Sequence, residues 1–251
     1  MTIPVRTVGS GPHHVFCLHG WFACSTRWGS FPDYLDGERF SYHFTDNRGY
    51  GARKAEPGTY TLDEVASDVL QAADERGADT FSLVGHSMGG SAALRVLAVA
   101  PARVRKIVGI DPTGAAPFPM DESGRALFFG APASRENRYA IVDFTTGNRL
   151  TPTWVNQVVD SSYANSTVEA YAGALEAYAG PDFLDEVKGN DTPMLVIVGE
   201  HDPGVGEAYA RVHWEPHFPR CTIEVMANAG HYAPFETPVA LATSIERFLA
   251  D

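Results

Sequence analysis

The sequence predicts an α/β fold in which a mostly parallel, twisted sheet is flanked by helices. Short apolar segments typical of buried strands alternate along the chain with amphipathic or alanine-rich segments typical of helices. The 251 residues, of which 44% are apolar, suffice for one large α/β domain with a substantial core. Ligands of such a fold bind beyond the carboxyl ends of the strands.

Seven segments have the apolar, β-branched or aromatic composition of strands. A capping-box pattern, Thr61 followed three residues later by Glu64, begins one helix, and Gly77 ends it. The alanine-rich stretch after residue 90 and the amphipathic C-terminal stretch indicate two more helices. The predicted strands are residues 3–8, 14–18, 40–45, 81–84, 106–110, 194–198 and 222–225, and the helices are residues 61–76, 91–100, 206–211 onward and 238–249.

The middle of the chain interrupts this alternation. From about residue 114 to residue 181 no strand is evident, and the apolar residues recur at helical spacing, as in Tyr171, Leu175 and Tyr178. We interpret residues 114–181 as a helical cap inserted between two core strands. Residues 1–113 and 182–251 then form the core domain.

Composition limits the partners. A net charge of −12 argues against nucleic acid and anionic membranes, and no apolar stretch is long enough to span a bilayer. The N-terminal segment lacks the apolar stretch of a signal peptide. Three widely spaced cysteines form no metal motif, which indicates a reduced, cytoplasmic protein without a metal or cofactor. The expected partner is a small molecule.

Residues 85–89, Gly-His-Ser-Met-Gly, have the Gly-x-Ser-x-Gly pattern of a nucleophile elbow between a strand and a helix. In such a turn the central Ser87 takes a strained backbone conformation that presents its hydroxyl above the sheet. Gly85 and Gly89 are required because a Cβ at either position would collide with neighbouring backbone. Ser87 is therefore the candidate nucleophile.

A serine nucleophile needs a base and an orienting acid, which in this chain order follow the serine. His231 comes after the last strand in Asn-Ala-Gly-His and is the candidate base. Asp202 comes after the preceding strand and is the candidate acid, because both residues then reach the same edge of the sheet. Asp111, which ends the strand before that, is the chief alternative acid, and Glu200 is a weaker one.

The tetrahedral intermediate of acyl transfer needs two N–H donors directed at its oxyanion. The Met88 N–H, at the start of the helix, is one candidate. The other is the N–H of Trp21 in the His-Gly-Trp turn after the second strand, with Phe22 as the neighbouring alternative.

These motifs together resemble those of the α/β-hydrolase superfamily over nearly the whole chain. His-Gly-Trp at 19–21, Asp-x-Arg-Gly-x-Gly at 46–51, Gly-His-Ser-Met-Gly-Gly at 85–90, Gly-Glu-His-Asp at 199–202 and Asn-Ala-Gly-His at 228–231 occur in the family's order. Residues 56–64 further resemble the equivalent stretch of enol-lactonases and related esterases. Arg53 replaces a small serine that the family usually has, which suggests a positive charge near the site entrance.

The resemblance implies a serine hydrolase that cleaves an ester or lactone through an acyl-enzyme. Activity is expected to fall below roughly pH 6.5, because the base must be neutral. Aromatic residues of the cap favour a medium-sized apolar substrate, and we take Phe22, Phe128 and Trp154 as candidate substrate contacts.

Two alternatives remain open. A carbon–carbon bond hydrolase of a β-diketone or ring-fission product would share the triad and would bind a substrate carboxylate. A non-catalytic ligand-binding receptor would keep the triad geometry without turnover. The cap arginines that such a hydrolase could use are Arg125, Arg135, Arg138 and Arg149.

Overall fold

A computed structural model describes residues 2–251. Its seven-stranded sheet has the order β1-β3-β2-β4-β5-β6-β7, in which β1 pairs antiparallel with β3 and all other neighbours are parallel. The predicted fold class is confirmed, and every predicted strand is present within two residues of its expected ends. The strands are β1 (Val5–Val8), β2 (His13–Leu18), β3 (Phe40–Thr45), β4 (Phe81–His86), β5 (Val104–Ile110), β6 (Met194–Gly199) and β7 (Cys221–Met226).

Ten α-helices connect and cover these strands in residues 2–251. The predicted capping box begins α1, where Thr61 Oγ1 accepts the Glu64 N–H at 3.2 Å. The helices are α1 (Leu62–Asp74), α2 (Met88–Val99), α3 (Glu122–Gly130), α4 (Arg135–Thr145), α5 (Pro152–Asn165), α6 (Val168–Ala179), α7 (Leu184–Val187), α8 (Glu207–His213), α9 (Ala233–Glu236) and α10 (Pro238–Ala250).

Helix α2 begins three residues earlier than the sequence pattern predicts, directly after Ser87. The glycines at 89 and 90 resemble a turn in the sequence, but they lie inside the first turn of the helix. A Cβ on Gly89 would collide with the Leu18 carbonyl, and one on Gly90 would collide with Pro112. These glycines therefore let the helix approach two neighbouring strands closely.

The sheet is covered on both faces, as parallel sheets require. In β6, Met194, Val196 and Val198 pack with α1, α2 and α8, whereas Leu195 and Ile197 pack with α10 on the other face. The period of two places alternate side chains in separate hydrophobic layers. All six residues of β6 are buried, which explains why the strand reads as a continuous apolar run.

Helices α3 to α6 lie between β5 and β6 in the chain, and residues 114–181 contain no strand longer than an isolated bridge between Tyr50 and Ser166. Their apolar side chains form a third cluster with Trp21 from the turn after β2, Met88 at the start of α2 and Tyr232 from the loop after β7. The helical character of this segment is as expected. In residues 2–251 no helix is both long and apolar enough to cross a membrane.

We predict that Gly85→Ala strongly destabilises the protein, because its Cβ would collide with the Gly89 carbonyl at the crossing of β4 and α2. Rigid backbone on both sides prevents relief of the overlap, so we expect a loss of about 3 kcal/mol or more in the free energy of unfolding. Chemical denaturation measures it. Gly114→Ala is the control, because its Cβ would meet neighbours at an ordinary 3.6 Å. Equal midpoints for the two variants would contradict this account.

Candidate active site

Ser87 lies at the turn from β4 to α2 in a strained backbone conformation, with φ 56° and ψ −120°. A positive φ is uncommon for a residue with a Cβ. Three backbone hydrogen bonds hold it: its N–H donates to the Ile110 carbonyl at 2.9 Å, and its own carbonyl accepts the N–H groups of Gly90 and Thr113. Between residues 81 and 94 only Ser87 is partly exposed. The fold therefore exposes this side chain and buries its neighbours.

The imidazole of His231 pairs with Asp202. The Nδ1 atom lies 2.6 Å from Asp202 Oδ2, and the other carboxylate oxygen accepts the N–H groups of Gly204 and Val205. The carboxylate fixes the proton on Nδ1 and leaves Nε2 free to accept one. Of the three acids considered from the sequence, Asp202 is the one bonded to His231, whereas Glu200 is exposed and accepts the Asn228 N–H.

Two hydrogen bonds hold the backbone of His231, one at its N–H and one at its carbonyl. Its N–H donates to the Thr145 carbonyl at the end of α4 at 3.1 Å, and its carbonyl accepts the Nε2–H of His86 at 2.7 Å. His86 is fully buried, and burial together with the nearby His231 lowers its pKa to about 3. The sequence pattern gave His86 no role beyond its place beside the nucleophile, since the position of its partner depends on the fold.

Glu236 holds the residues that flank His231. Its Oε1 atom accepts the N–H groups of Gly230 and Tyr232, at 3.0 and 3.2 Å, and its Oε2 accepts Arg149 at 2.9 Å. Arg149 also donates to the Asn228 carbonyl. These two residues fix residues 228–232, which we call the histidine loop, and no motif in the sequence points to either of them.

Asp111, the alternative acid, is fully buried behind Asp202. Its Oδ1 accepts the Gly199 N–H at 2.7 Å, and its Oδ2 has no hydrogen-bond partner in the described chain. One ligand-type atom from each of Asp111, Asp202 and His231 lies within 4.8 Å of the others, a spacing compatible with a bound cation. The 2.6 Å separation of Asp202 Oδ2 and His231 Nδ1 is that of a hydrogen bond, which favours a role in proton transfer over metal binding.

The turn after β2 lies next to the elbow. The Ala23 N–H donates to the Gly20 carbonyl, and the N–H groups of Trp21 and Phe22 between them find no acceptor among residues 2–251. A Cβ on Gly20 would approach Ser87 Cβ to 3.1 Å. The Trp21 indole is anchored to α6 by a 2.7 Å hydrogen bond to the Tyr171 carbonyl. The amides of Trp21 and Phe22, the two alternatives for the second oxyanion donor, are thus both unpaired in the turn next to Ser87.

A cavity of about 610 Å³ opens above Ser87 and His231. Trp21, Phe22 and Phe128 lie on its wall, whereas Trp154 lines an adjoining cavity of about 250 Å³ that shares Phe22 and Tyr232 with it. Two of the three residues expected to contact substrate, Phe22 and Phe128, therefore line the same cavity as Ser87. Wall residues that the sequence did not single out are Phe118, Met120, Phe144 and Val205.

Arg53 places no free positive charge at the entrance. Its side chain is buried and pairs with Asp68 and Glu56, each at 2.7 Å, and Arg48 joins the same network through Asp68. Arg53 does not line the cavity above Ser87. The sequence suggested a positive charge near the entrance. Asp68 of α1 and Glu56 of the preceding loop neutralise that charge.

The geometry thus joins a strained serine, a histidine–carboxylate pair and unpaired amides at one edge of a parallel sheet. The sequence pattern of the family described as Alpha/beta hydrolase family matches residues 15–244. The chain belongs to the alpha/beta hydrolase family. The match spans β2 to α10 and includes every residue of the candidate site.

Individual relatives agree with this assignment. A pimeloyl-[acyl-carrier protein] methyl ester esterase of Nitrosomonas europaea is 27% identical over 246 residues, which cover 93% of this chain and 94% of the relative. A 3-oxoadipate enol-lactonase of Acinetobacter baylyi is 28% identical, covering 80% and 75%. Among solved structures, an esterase of Exiguobacterium antarcticum has a TM-score of 0.87 at 20% identity, covering 99% of this chain and 96% of its own, which shows the shared fold.

We predict that His86→Gln reduces the acid sensitivity of the fold. Because the pKa of folded His86 is about 3, below the ordinary 6.5, the unfolded state takes up a proton first as the pH falls. The contribution of neutral His86 to the free energy of unfolding is complete above pH 6.5, and it falls by about 1.4 kcal/mol per pH unit toward pH 4. Glutamine cannot titrate, and its amide can donate the same hydrogen bond to His231.

The measurement is the free energy of unfolding between pH 7 and pH 4 for both proteins. His217→Gln serves as the control, since His217 is a partly exposed histidine between α8 and β7, away from the cavity above Ser87. That variant should keep the slope contributed by His86. Parallel curves for wild type and His86→Gln would contradict the assignment.

Proposed function

We propose that this protein is a serine hydrolase that cleaves a neutral carboxylic ester or lactone through an acyl-enzyme. The observation that carries the proposal is that Ser87, strained at the elbow, shares one cavity with the His231 side chain, whose Nδ1 is bonded to Asp202. The esterase and enol-lactonase names of the relatives support the same reaction class.

In the proposed mechanism His231 takes the proton of Ser87 as the hydroxyl attacks the substrate carbonyl. The N–H groups of Trp21 and Met88 stabilise the oxyanion, with the Phe22 N–H next to them in the turn. His231 then protonates the leaving alkoxide, and the same residue activates the water that releases the acid. Asp202 keeps the imidazole in the required tautomer and stabilises its charged form.

We further propose that residues 114–181 act as a cap over a core formed by residues 1–113 and 182–251. Support comes from the cavity wall, to which this segment contributes Phe128, Ile141 and Phe144, opposite Ser87 and His231 of the core. Phe22 and Phe128 are the proposed substrate contacts, and Trp154 would contact only a substrate long enough to reach the adjoining cavity. A cytoplasmic location remains a proposal that rests on the cysteine pattern.

The charges around the cavity favour a neutral substrate. Among the described residues, no lysine or arginine lines it, and Asp121 is the only acidic residue on its wall. A carbon–carbon bond hydrolase would need a cation for its substrate carboxylate, and the cap arginines are engaged elsewhere. Arg125 stacks on Phe129, Arg135 pairs with Asp160, Arg138 lies between Tyr163 and Tyr171, and Arg149 pairs with Glu236.

We predict that Ser87→Ala abolishes covalent labelling by a fluorophosphonate probe and lowers kcat/KM for p-nitrophenyl esters at least about 10³-fold, because the nucleophile is removed. Mass spectrometry should locate the probe on Ser87 in the wild type. Ser10→Ala, at an exposed position far from the cavity, is the matched control and should label fully. A wild-type protein that neither labels nor turns over these esters would instead support the receptor alternative.

We also predict that the protein hydrolyses neutral esters faster than esters that carry a negative charge. Kinetics with p-nitrophenyl valerate and mono-p-nitrophenyl glutarate, which differ mainly in a terminal carboxylate, should give at least about tenfold higher kcat/KM for the neutral ester. Phe144→Arg places a cation on the cavity wall at a residue that is 44% exposed. This variant should reduce the ratio of kcat/KM for the neutral ester to kcat/KM for the anionic ester severalfold. Faster hydrolysis of the anionic ester by the wild type would favour a carboxylate-binding substrate class.

A further inference from the structure

The strongest unexplained feature of the molecule is the carboxyl of Asp111. It is completely inaccessible, and one of its oxygens is among the buried side-chain atoms that lack a hydrogen-bond partner in residues 2–251. A buried carboxylate oxygen without a donor is costly, because nothing replaces the water it has lost. The proposed mechanism assigns Asp111 no task, so its presence requires a separate explanation.

Its surroundings contain negative charge and no compensating cation in contact. Asp202 faces it from the loop after β6, His231 from the loop after β7 and Glu236 from α9. The guanidinium of Arg149 is bonded to Glu236, on the histidine loop, and no ion pair links it to Asp111. Burial, followed by the nearby Asp202 charge, raises the pKa of Asp111 well above its usual range. Two carboxyl groups in one dry site do not both ionise.

The hydrogen bonds decide which of the two keeps the charge. Asp202 accepts N–H groups on both oxygens, from Gly204, Val205 and the His231 ring. Asp111 receives a single N–H, from Gly199, on Oδ1. Donors stabilise the ionised form, so the negative charge belongs on Asp202 and a proton belongs on the free oxygen of Asp111.

We propose that Asp111 is a protonated carboxylic acid whose Oδ2–H donates a hydrogen bond to the Asp202 carboxylate. Asp111 is then a positioning residue that acts on His231 through Asp202. A carboxylate has about four lone-pair positions, so Asp202 can accept this donor in addition to its other three. The pair holds one negative charge behind the imidazole, and the donated hydrogen bond moderates how strongly that charge attracts a proton to His231.

The backbone supports a specific placement of this side chain. Asp111 has φ 42°, a conformation that costs free energy for a residue with a Cβ, and its N–H is fixed to the Ile197 carbonyl at 2.8 Å. The next residue, Pro112, packs against Gly90 and Gly109, where any larger residue would collide with it. The turn is therefore held in a strained form that directs the carboxyl toward Asp202 and Gly199.

Infrared spectroscopy tests the protonation directly and independently of activity. The wild type at pH 7 should show the C=O stretching band of a protonated carboxylic acid, and the difference spectrum against Asp111→Asn should show that this band is lost. Asp46→Asn is the matched control, since Asp46 is another buried aspartate but both its oxygens accept hydrogen bonds, from Ser25 and Ala52. A band that is absent from the wild type, or that persists in Asp111→Asn, would overturn the proposal.

The pH profile of kcat/KM tests the effect on His231, and this part rests on the proposed hydrolase function. Asparagine reproduces the protonated acid: its oxygen accepts the Gly199 N–H and its amide donates to Asp202. Asp111→Ala removes the donor, so Asp202 attracts a proton to His231 more strongly. The acid limb of Asp111→Ala should move to higher pH by about half a unit or more, and Asp111→Asn should restore the wild-type limb.

An ionised Asp111 predicts the opposite shift of the acid limb. If Asp111 were ionised in the wild type, Asp111→Asn would remove a negative charge and the acid limb would move to lower pH, which overturns the proposal. If Asp111→Ala does not fold, the asparagine variant and the infrared band still decide the question. A protein that hydrolyses no ester but shows the band would contradict the proposed function and leave the protonated Asp111 supported.

Discussion

The close crossing of β4 and α2 is the constraint on which the rest of the site depends. The two elements meet through Gly85 and Gly89, neither of which has room for a methyl group. This contact forces Ser87 into a positive φ, and the strain is opposed by hydrogen bonds from the neighbouring β5 turn to the Ser87 backbone. The side chain of Ser87 is thereby partly exposed at a point where the sheet and a buried helix converge.

The histidine loop is organised differently, because its backbone is fixed by residues from three separate parts of the chain. His86 comes from β4, Glu236 from α9 and the Thr145 carbonyl from the end of α4. The last contact joins the inserted helices directly to the backbone of His231. Any displacement of α4 relative to the sheet must therefore break a hydrogen bond to the proposed base or move that base.

The three carboxyl groups around this loop differ in their hydrogen-bond partners. Asp202 contacts the imidazole ring, Glu236 contacts only backbone N–H groups and Arg149, and Asp111 faces Asp202 with one oxygen unpaired. Three acidic side chains thus surround one histidine, yet each has a different set of donors. The donors, and not the distance from His231 alone, determine which carboxyl can carry charge.

The sequence by itself determined the sheet with its alternating helices, the elbow and the helical nature of residues 114–181. It favoured Asp202 as the partner of His231, and the hydrogen bond in the structure decided against Asp111 and Glu200. These features depend on local periodicity and on motifs in which a few adjacent residues dictate backbone geometry. Only the tertiary structure decided that Arg53 is neutralised by Asp68, that His86 and Glu236 hold the histidine loop, and that Trp154 lies beyond the cavity wall. Each of these depends on which side chains from distant segments meet, and spacing along the chain carries no information about that.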